Sequence, residues 1–263
     1  MEKPLIARGL LAGAAGAVPA FLFARLCAEP VIGRAIAYED GRADVEDAHG
    51  VHAHGAELFS RGVQANPGLG FGVLIFGVAV GALFAVLFCV VSARVKTVEP
   101  RLLSVLLAAA AFAAAYLVPF VKYPPNPPAV GQADTIEERT GWYVVMVLAS
   151  VLLAIAAVRL AGTLASRLGG WNSAVLAAGA YLAAVAVVML LLPGVDETPA
   201  PMRDAAGAIV YPGFPADVLY EFRLVSLATQ LVLWVSIGVV FATLAGRLLR
   251  PRVHGGGTPG AGA

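Results

Sequence analysis

Six stretches of the chain are almost free of polar side chains: 9–27, 68–93, 102–120, 142–158, 173–192 and 224–246. Each is near the roughly 20 residues that cross a hydrocarbon core at about 1.5 Å per residue. Arg25 is the one charged residue inside them. Runs such as Ser104 to Pro119 do not alternate in polarity, which argues against barrel strands. In lipid that leaves helices, whose backbone bonds close within the segment. The pattern predicts an all-α, polytopic transmembrane bundle of about six spans, forming one domain over 1–250 and followed by a flexible, Gly-rich tail at 251–263. The first span has a basic start (Lys3, Arg8) but no small-x-small cleavage site at its exit, so it reads as a retained helix.

The polar segments between the spans fall into two sets. Segments 1–8, 94–101, 159–172 and 247–263 carry ten Lys or Arg and two acids. The loops 28–67, 121–141 and 193–223 carry seven Lys or Arg and fifteen acids. Basic segments stay on the cytoplasmic side. Both termini are therefore expected in the cytoplasm, with three long acidic loops outside. Composition agrees: of 263 residues, 59% are hydrophobic and 13% charged, against roughly 25% charged in soluble domains. Mean hydropathy is +0.82. A nucleic-acid binder, a disordered chain and an ordinary cytosolic enzyme are excluded.

Cys27 and Cys89 fall at opposite ends of their spans, too far apart to bridge. Gly9 and Gly13, Gly77 and Gly81, and the run Gly238, Ala242, Gly246 place small residues at helical spacing, as close helix contacts require. The abundance of Gly and Ala gives the same pattern without contact. No internal repeat of the inverted-transporter type is visible.

Candidate chemistry lies in the loops. His49, His52 and His54 sit among Glu39, Asp40, Asp44, Glu46, Asp47 and Glu57. Imidazole and carboxylate suit divalent transition metals, and Gly50 and Gly55 permit turns that would let the three converge. A solvated acidic loop and a pH sensor are the competing readings. Four prolines at 124–128 impose an extended path, on which Asn126 could present an oxygen ligand. The same stretch could equally be a rigid cap, with Lys122 reaching the headgroups. Asp196 and Glu197 form an adjacent carboxylate pair that could relay a cation or be merely solvated. Arg25 and Glu29 are four apart, so Arg25 is expected to pair with Glu29 or another acid. Arg223 and Gln230 could line a path along the last span. No phosphate-binding loop, GxSxG elbow or HExxH is present.

Several ordered pieces carry a resemblance. They are Phe23-Ala-Arg25, Ala28 to Glu39, Ser60 to Gln64, Pro119 to Gly131, Thr135 to Thr140, Trp171-Asn172, Leu192 to Pro199 and Phe222 to Trp234. Together they resemble the family of the cobalt transporter subunit CbtA over nearly the whole chain. The resemblance implies bacterial cobalt uptake linked to cobalamin synthesis, and a small single-span partner, CbtB. It implies about five spans, one fewer than the hydropathy pattern gives. The histidine cluster is not part of the resemblance.

The expected function is an integral subunit of a cobalt (divalent metal) uptake transporter in the bacterial inner membrane, with no cofactor and Co2+ as the transported ion. His49, His52 and His54 would capture the ion. Glu29, Glu39, Asp196 and Glu197 would pass it toward a cleft between spans one, five and six. A non-transporting scaffold for a partner permease and a membrane enzyme acting on lipid are the alternatives.

Overall fold

The computed structural model describes residues 2–48, 60–131 and 135–249. The chain runs α1 (Glu2–Phe23), a π-helical turn (Ala24–Ala28) and α2 (Glu29–Ala48) as one continuous rod. A short α3 (Arg61–Val63) leads through a second π turn (Gln64–Gly68) into α4 (Leu69–Ser92). α5 (Pro100–Phe112), a third π turn (Ala113–Leu117) and α6 (Val118–Lys122) form the next rod. α7 (Ile136–Leu191), a hairpin of β1 (Met202–Arg203) and β2 (Ile209–Tyr211), and α8 (Ala216–Leu249) complete it. Five helical runs among the described residues are long and apolar enough to cross a membrane.

Prolines explain the π turns. Pro30 follows the first by two residues, Pro67 lies in the second, and Pro119 follows the third by two residues. A proline inside a helix removes a backbone donor and crowds the carbonyl four residues back; a widened turn relieves both. α5 starts cleanly because Pro100 occupies its first turn, while the Glu99 carboxylate accepts from the N–H groups of Arg101 (2.9 Å) and Leu102 (3.0 Å).

The fourth apolar run explains the difference between five and six. α7 is 56 residues long, but Gly169 has φ 76° and ψ 162°, outside any helical region. The arms 136–168 and 170–191 fold back on each other. Ser150 and Tyr181 hydroxyls are hydrogen-bonded at 2.8 Å, which 31 residues of straight helix would hold about 46 Å apart. Met146 and Val185 share one buried cluster. Each arm is long enough to span, so one kinked element supplies both spans expected over 142–192.

α1, α4, α5 and α8 share the main core, with Phe241 edge-on to Phe84 (5.2 Å) and Phe88 (5.0 Å). α1 and α4 meet through glycines. A Cβ at Gly9 or Gly13 would run into the backbone of Gly81 or Gly77, and one at Gly77 would sit 2.8 Å from Gly13 O. Gly238 faces Ala108, and next to it the buried Ser104 hydroxyl donates to Gly238 O at 2.9 Å. The expected small-residue faces are therefore real contacts in α1, α4 and α8.

One expectation needs correction. Residues 29–48, read from sequence as the start of a long loop, are helical. They belong to a cap with its own core, where Val31, Ala35 and Tyr38 pack on Val130, Phe214 and Val218. Tyr38 lies edge-on to Phe214 (4.9 Å); its hydroxyl donates to Pro212 O and its carbonyl accepts from the Tyr211 hydroxyl, each at 3.0 Å. The proline run closes over the same end. Leu5 and Ala245 share the core cluster at the opposite end of the bundle.

Candidate functional site

The polar side chains singled out in the sequence gather at the cap end, but mostly as arginine pairs. Arg25 sits in the first π turn, and its Nε donates to Asn66 Oδ1 in the second at 3.0 Å. Glu29, one residue past the first π turn, is bound by Arg61. The expected Arg25–Glu29 pair is thus replaced by two bridges from α1–α2 to the segment opening α4. The widened turn turns both side chains toward that segment, where Asn66 Nδ2 also caps Gly62 O at 2.9 Å.

Glu197 is nearly buried, with 6% of its side chain exposed. It accepts from Arg139 Nη1 at 2.6 Å and from the Thr135 hydroxyl. Gly131, at φ 131°, lies against this pair, where a Cβ would meet Arg139 Nη1 at 2.8 Å and Glu197 Oε2 at 3.2 Å. The pair ties the two ends of the α7 hairpin together. Asp196, beside it, is exposed. Its carboxyl is held below the usual carboxylate range by hydrogen bonds from the Thr198 backbone and hydroxyl, with the Arg223 charge acting in the same direction. A pocket of about 270 Å³ is bounded by Arg139, Trp142, Asp196 and Glu197.

Arg223, near the start of α8, donates from Nη2 to Asn126 Oδ1 at 3.2 Å. Asn126 Oδ1, expected as an oxygen ligand, is thus already taken up by a guanidinium. Lys122 lies over the Tyr123 ring, 5.7 Å from its centroid, and the Tyr123 hydroxyl donates to Pro193 O at 2.8 Å. These contacts make the proline run a brace between the third and fourth apolar runs. Glu39 is exposed on α2. His49, His52 and His54 lie outside the described residues. Among the described residues, no three His, Cys, Asp or Glu side chains are close enough to hold one metal ion.

One turn or so below the two bridges lies a cavity of about 280 Å³, between α1, α4 and α8. Ala20, Leu69, Val73 and Leu233 give it apolar walls, and Thr229 and Gln230 are its polar side chains. The cleft expected between spans one, five and six is instead between spans one, two and six. The reason is that 170–191 packs on the other arm of α7, away from α1.

Sequence reasoning missed Arg34, Arg61 and Arg139 as partners. Arg34 bridges α2 to Glu221 on α8 and lies 3.9 Å from Asp217. Their signal was available: arginines in otherwise acidic loops at a membrane edge need acids to pair with.

The model of one protein family, described as "Probable cobalt transporter subunit (CbtA)", matches residues 2–246. No curated protein and no solved structure gives a match. The chain belongs to that family of transporter subunits, and its long apolar helices give it the form of a multi-pass membrane protein.

Proposed function

We propose that this chain is the integral subunit of a bacterial inner-membrane cobalt uptake system that serves cobalamin synthesis and works with a small single-span CbtB-like partner. The observation that carries the reading is the polar cap directly above a cavity between α1, α4 and α8. The cap segments hold fifteen of the seventeen acids in the sequence, and the segments between the opposite helix ends are basic. That split favours a cap facing outward, with both termini in the cytoplasm. An acidic face enriches divalent cations only locally, within about 8 Å at 0.15 M salt. Asp196 and Glu39, both exposed, are the first contacts; His49, His52 and His54 add capture capacity. Glu29 and Glu197 hold arginines at rest and exchange them for the ion as it passes. A membrane potential negative inside is worth about 4.6 kcal/mol per 100 mV to a divalent cation, so ATP is not required.

A second reading, a scaffold for a partner that carries the ion, draws on one observation. Glu29 and Glu197 are paired with arginines, and among the described residues no three His, Cys, Asp or Glu form a ligand cluster. Cobalt accumulation in cells lacking their own uptake separates the two. The proposed function predicts accumulation with chain and partner together, and its loss in Asp196→Ala/Glu197→Ala. Accumulation by the partner alone would establish the scaffold reading.

A further inference from the structure

The arginines of this protein are of two kinds. At the cap end each described arginine donates to an oxygen of the chain itself, as Arg25 does to Asn66 and Arg139 to Glu197. Arg159 and Arg167, toward the closed end of the α7 hairpin, are exposed and have no hydrogen-bond or ion-pair partner among the described residues. No acid occurs between 139 and 195, so neither arm can supply one. Thr163, midway between the two arginines, spends its hydroxyl on Leu160 O at 2.8 Å. Steps of four residues keep Arg159, Thr163 and Arg167 on one side of the helix, with about 12 Å of axis between the two guanidinium-bearing positions.

Their depth follows from the length of the arms. The apolar run 142–158 is about 25 Å long, close to the roughly 30 Å of a hydrocarbon core. Arg159 therefore emerges at a membrane boundary. Trp171 stands at a similar depth, since it lies ten residues from Tyr181 and Arg159 lies nine from Ser150, and those two hydroxyls are bonded. Its indole is 80% exposed. Residues 165–172 are all exposed, and a Cβ at Gly162, Gly169 or Gly170 would meet nothing within 4 Å. The described chain leaves this end uncovered.

The chemistry selects one occupant. Two unpaired guanidiniums at the headgroup level match phosphate, which arginine takes with two parallel N–H donors. An indole prefers the same layer. Leu160 and Leu168, both exposed on the same stretch, offer contact to acyl chains beneath a headgroup. We propose that the closed end of the α7 hairpin binds an anionic phospholipid, with Arg159 and Arg167 holding its phosphate and Trp171 seated beside it in the headgroup layer. The proposal rests on the membrane placement of the helices and not on the ion transported.

Fluorescence quenching by brominated lipids tests it. The protein has three tryptophans, so Trp142→Phe/Trp234→Phe leaves Trp171 as the only reporter. The full chain is reconstituted in phosphatidylcholine bilayers in which either phosphatidylglycerol or a matched share of phosphatidylcholine carries bromine on its acyl chains. Brominated phosphatidylglycerol should quench Trp171 at a mole fraction about tenfold lower than brominated phosphatidylcholine. Arg159→Gln/Arg167→Gln should make the two lipids equivalent, with cysteine cross-linking between positions 150 and 181 showing that the arms still meet. Equal quenching by the two lipids with both arginines present overturns the proposal, as does a preference that survives the double substitution. Inorganic phosphate, added against chloride at matched ionic strength, should leave the preference intact; its loss would assign the arginines to free phosphate and overturn the lipid site.

Discussion

Glycines do opposite work in the two halves of this protein. In α1 and α4, Gly9, Gly13, Gly77 and Gly81 are places where two backbones touch, and no side chain fits between them. In the α7 hairpin, Gly141, Gly162, Gly169, Gly170 and Gly179 meet nothing within 4 Å of a Cβ position. Burial follows the same division. The most apolar window of α1 is 33% buried inside the protein, that of α7 only 11%. One half is interlocked by backbone contact; the other turns most of its apolar surface outward and is held by one small apolar cluster around Met146 and Val185 and by a few polar ties. Small-residue spacing alone cannot separate these cases, because it records what is absent from a face and not what lies opposite.

The difference can be broken from either side. Gly13→Leu should be the most damaging change, costing about 3 kcal/mol or more by overpacking against Gly77. Gly179→Ala, the matched change in the hairpin, should stay within about 0.5 kcal/mol. Denaturant unfolding in detergent micelles measures both; equal effects would abolish the distinction.

Next comes the polar tie at the hairpin's open end. Arg139→Ala leaves the nearly buried Glu197 without its guanidinium, at a cost of about 2 kcal/mol because Arg139 itself is partly exposed. The double variant Arg139→Ala/Glu197→Gln should recover part of that in the same assay. At the closed end, Gly169 holds φ 76° and ψ 162°, a region that only glycine visits readily. Gly169→Ala should cost ~1–2 kcal/mol, whereas neighbouring Gly170→Ala should not; cysteine cross-linking between positions 150 and 181 reports whether the arms still meet. Smallest is Ser150→Ala, about 1 kcal/mol for the lost bond to Tyr181. The three losses should add up, since the sites are far apart.

The apolar skeleton was legible in the sequence because lipid imposes a length and a composition on every span. The family resemblance was legible through the proline run and the Arg-bearing motifs. The fold-back at Gly169 was visible only as two hydrophobic maxima with Arg159 and Arg167 between them, not as one kinked helix. Helix 29–48 escaped notice because its polar side chains suppress hydropathy and its apolar contacts, at Val31, Ala35 and Tyr38, are to distant Val130, Phe214 and Val218. The pairing of Glu29 with Arg61 rather than Arg25 accompanies a π turn that Pro30 favours. A proline just past the end of the first apolar run was its sequence signal. The cavity had no linear signature, since Ala20, Leu69 and Gln230 come from three separate runs.

The proposed uptake reading makes the acidic cap the entry for cobalt and leaves the outward-facing glycines of the hairpin uninvolved. The direct test is initial-rate uptake of radioactive cobalt, normalised to folded protein in the membrane, for Asp196→Ala/Glu197→Ala and Gly179→Ala beside the unaltered chain. Uptake should fall about tenfold in Asp196→Ala/Glu197→Ala and stay unchanged in Gly179→Ala. Full uptake by Asp196→Ala/Glu197→Ala would contradict the cap as the entry.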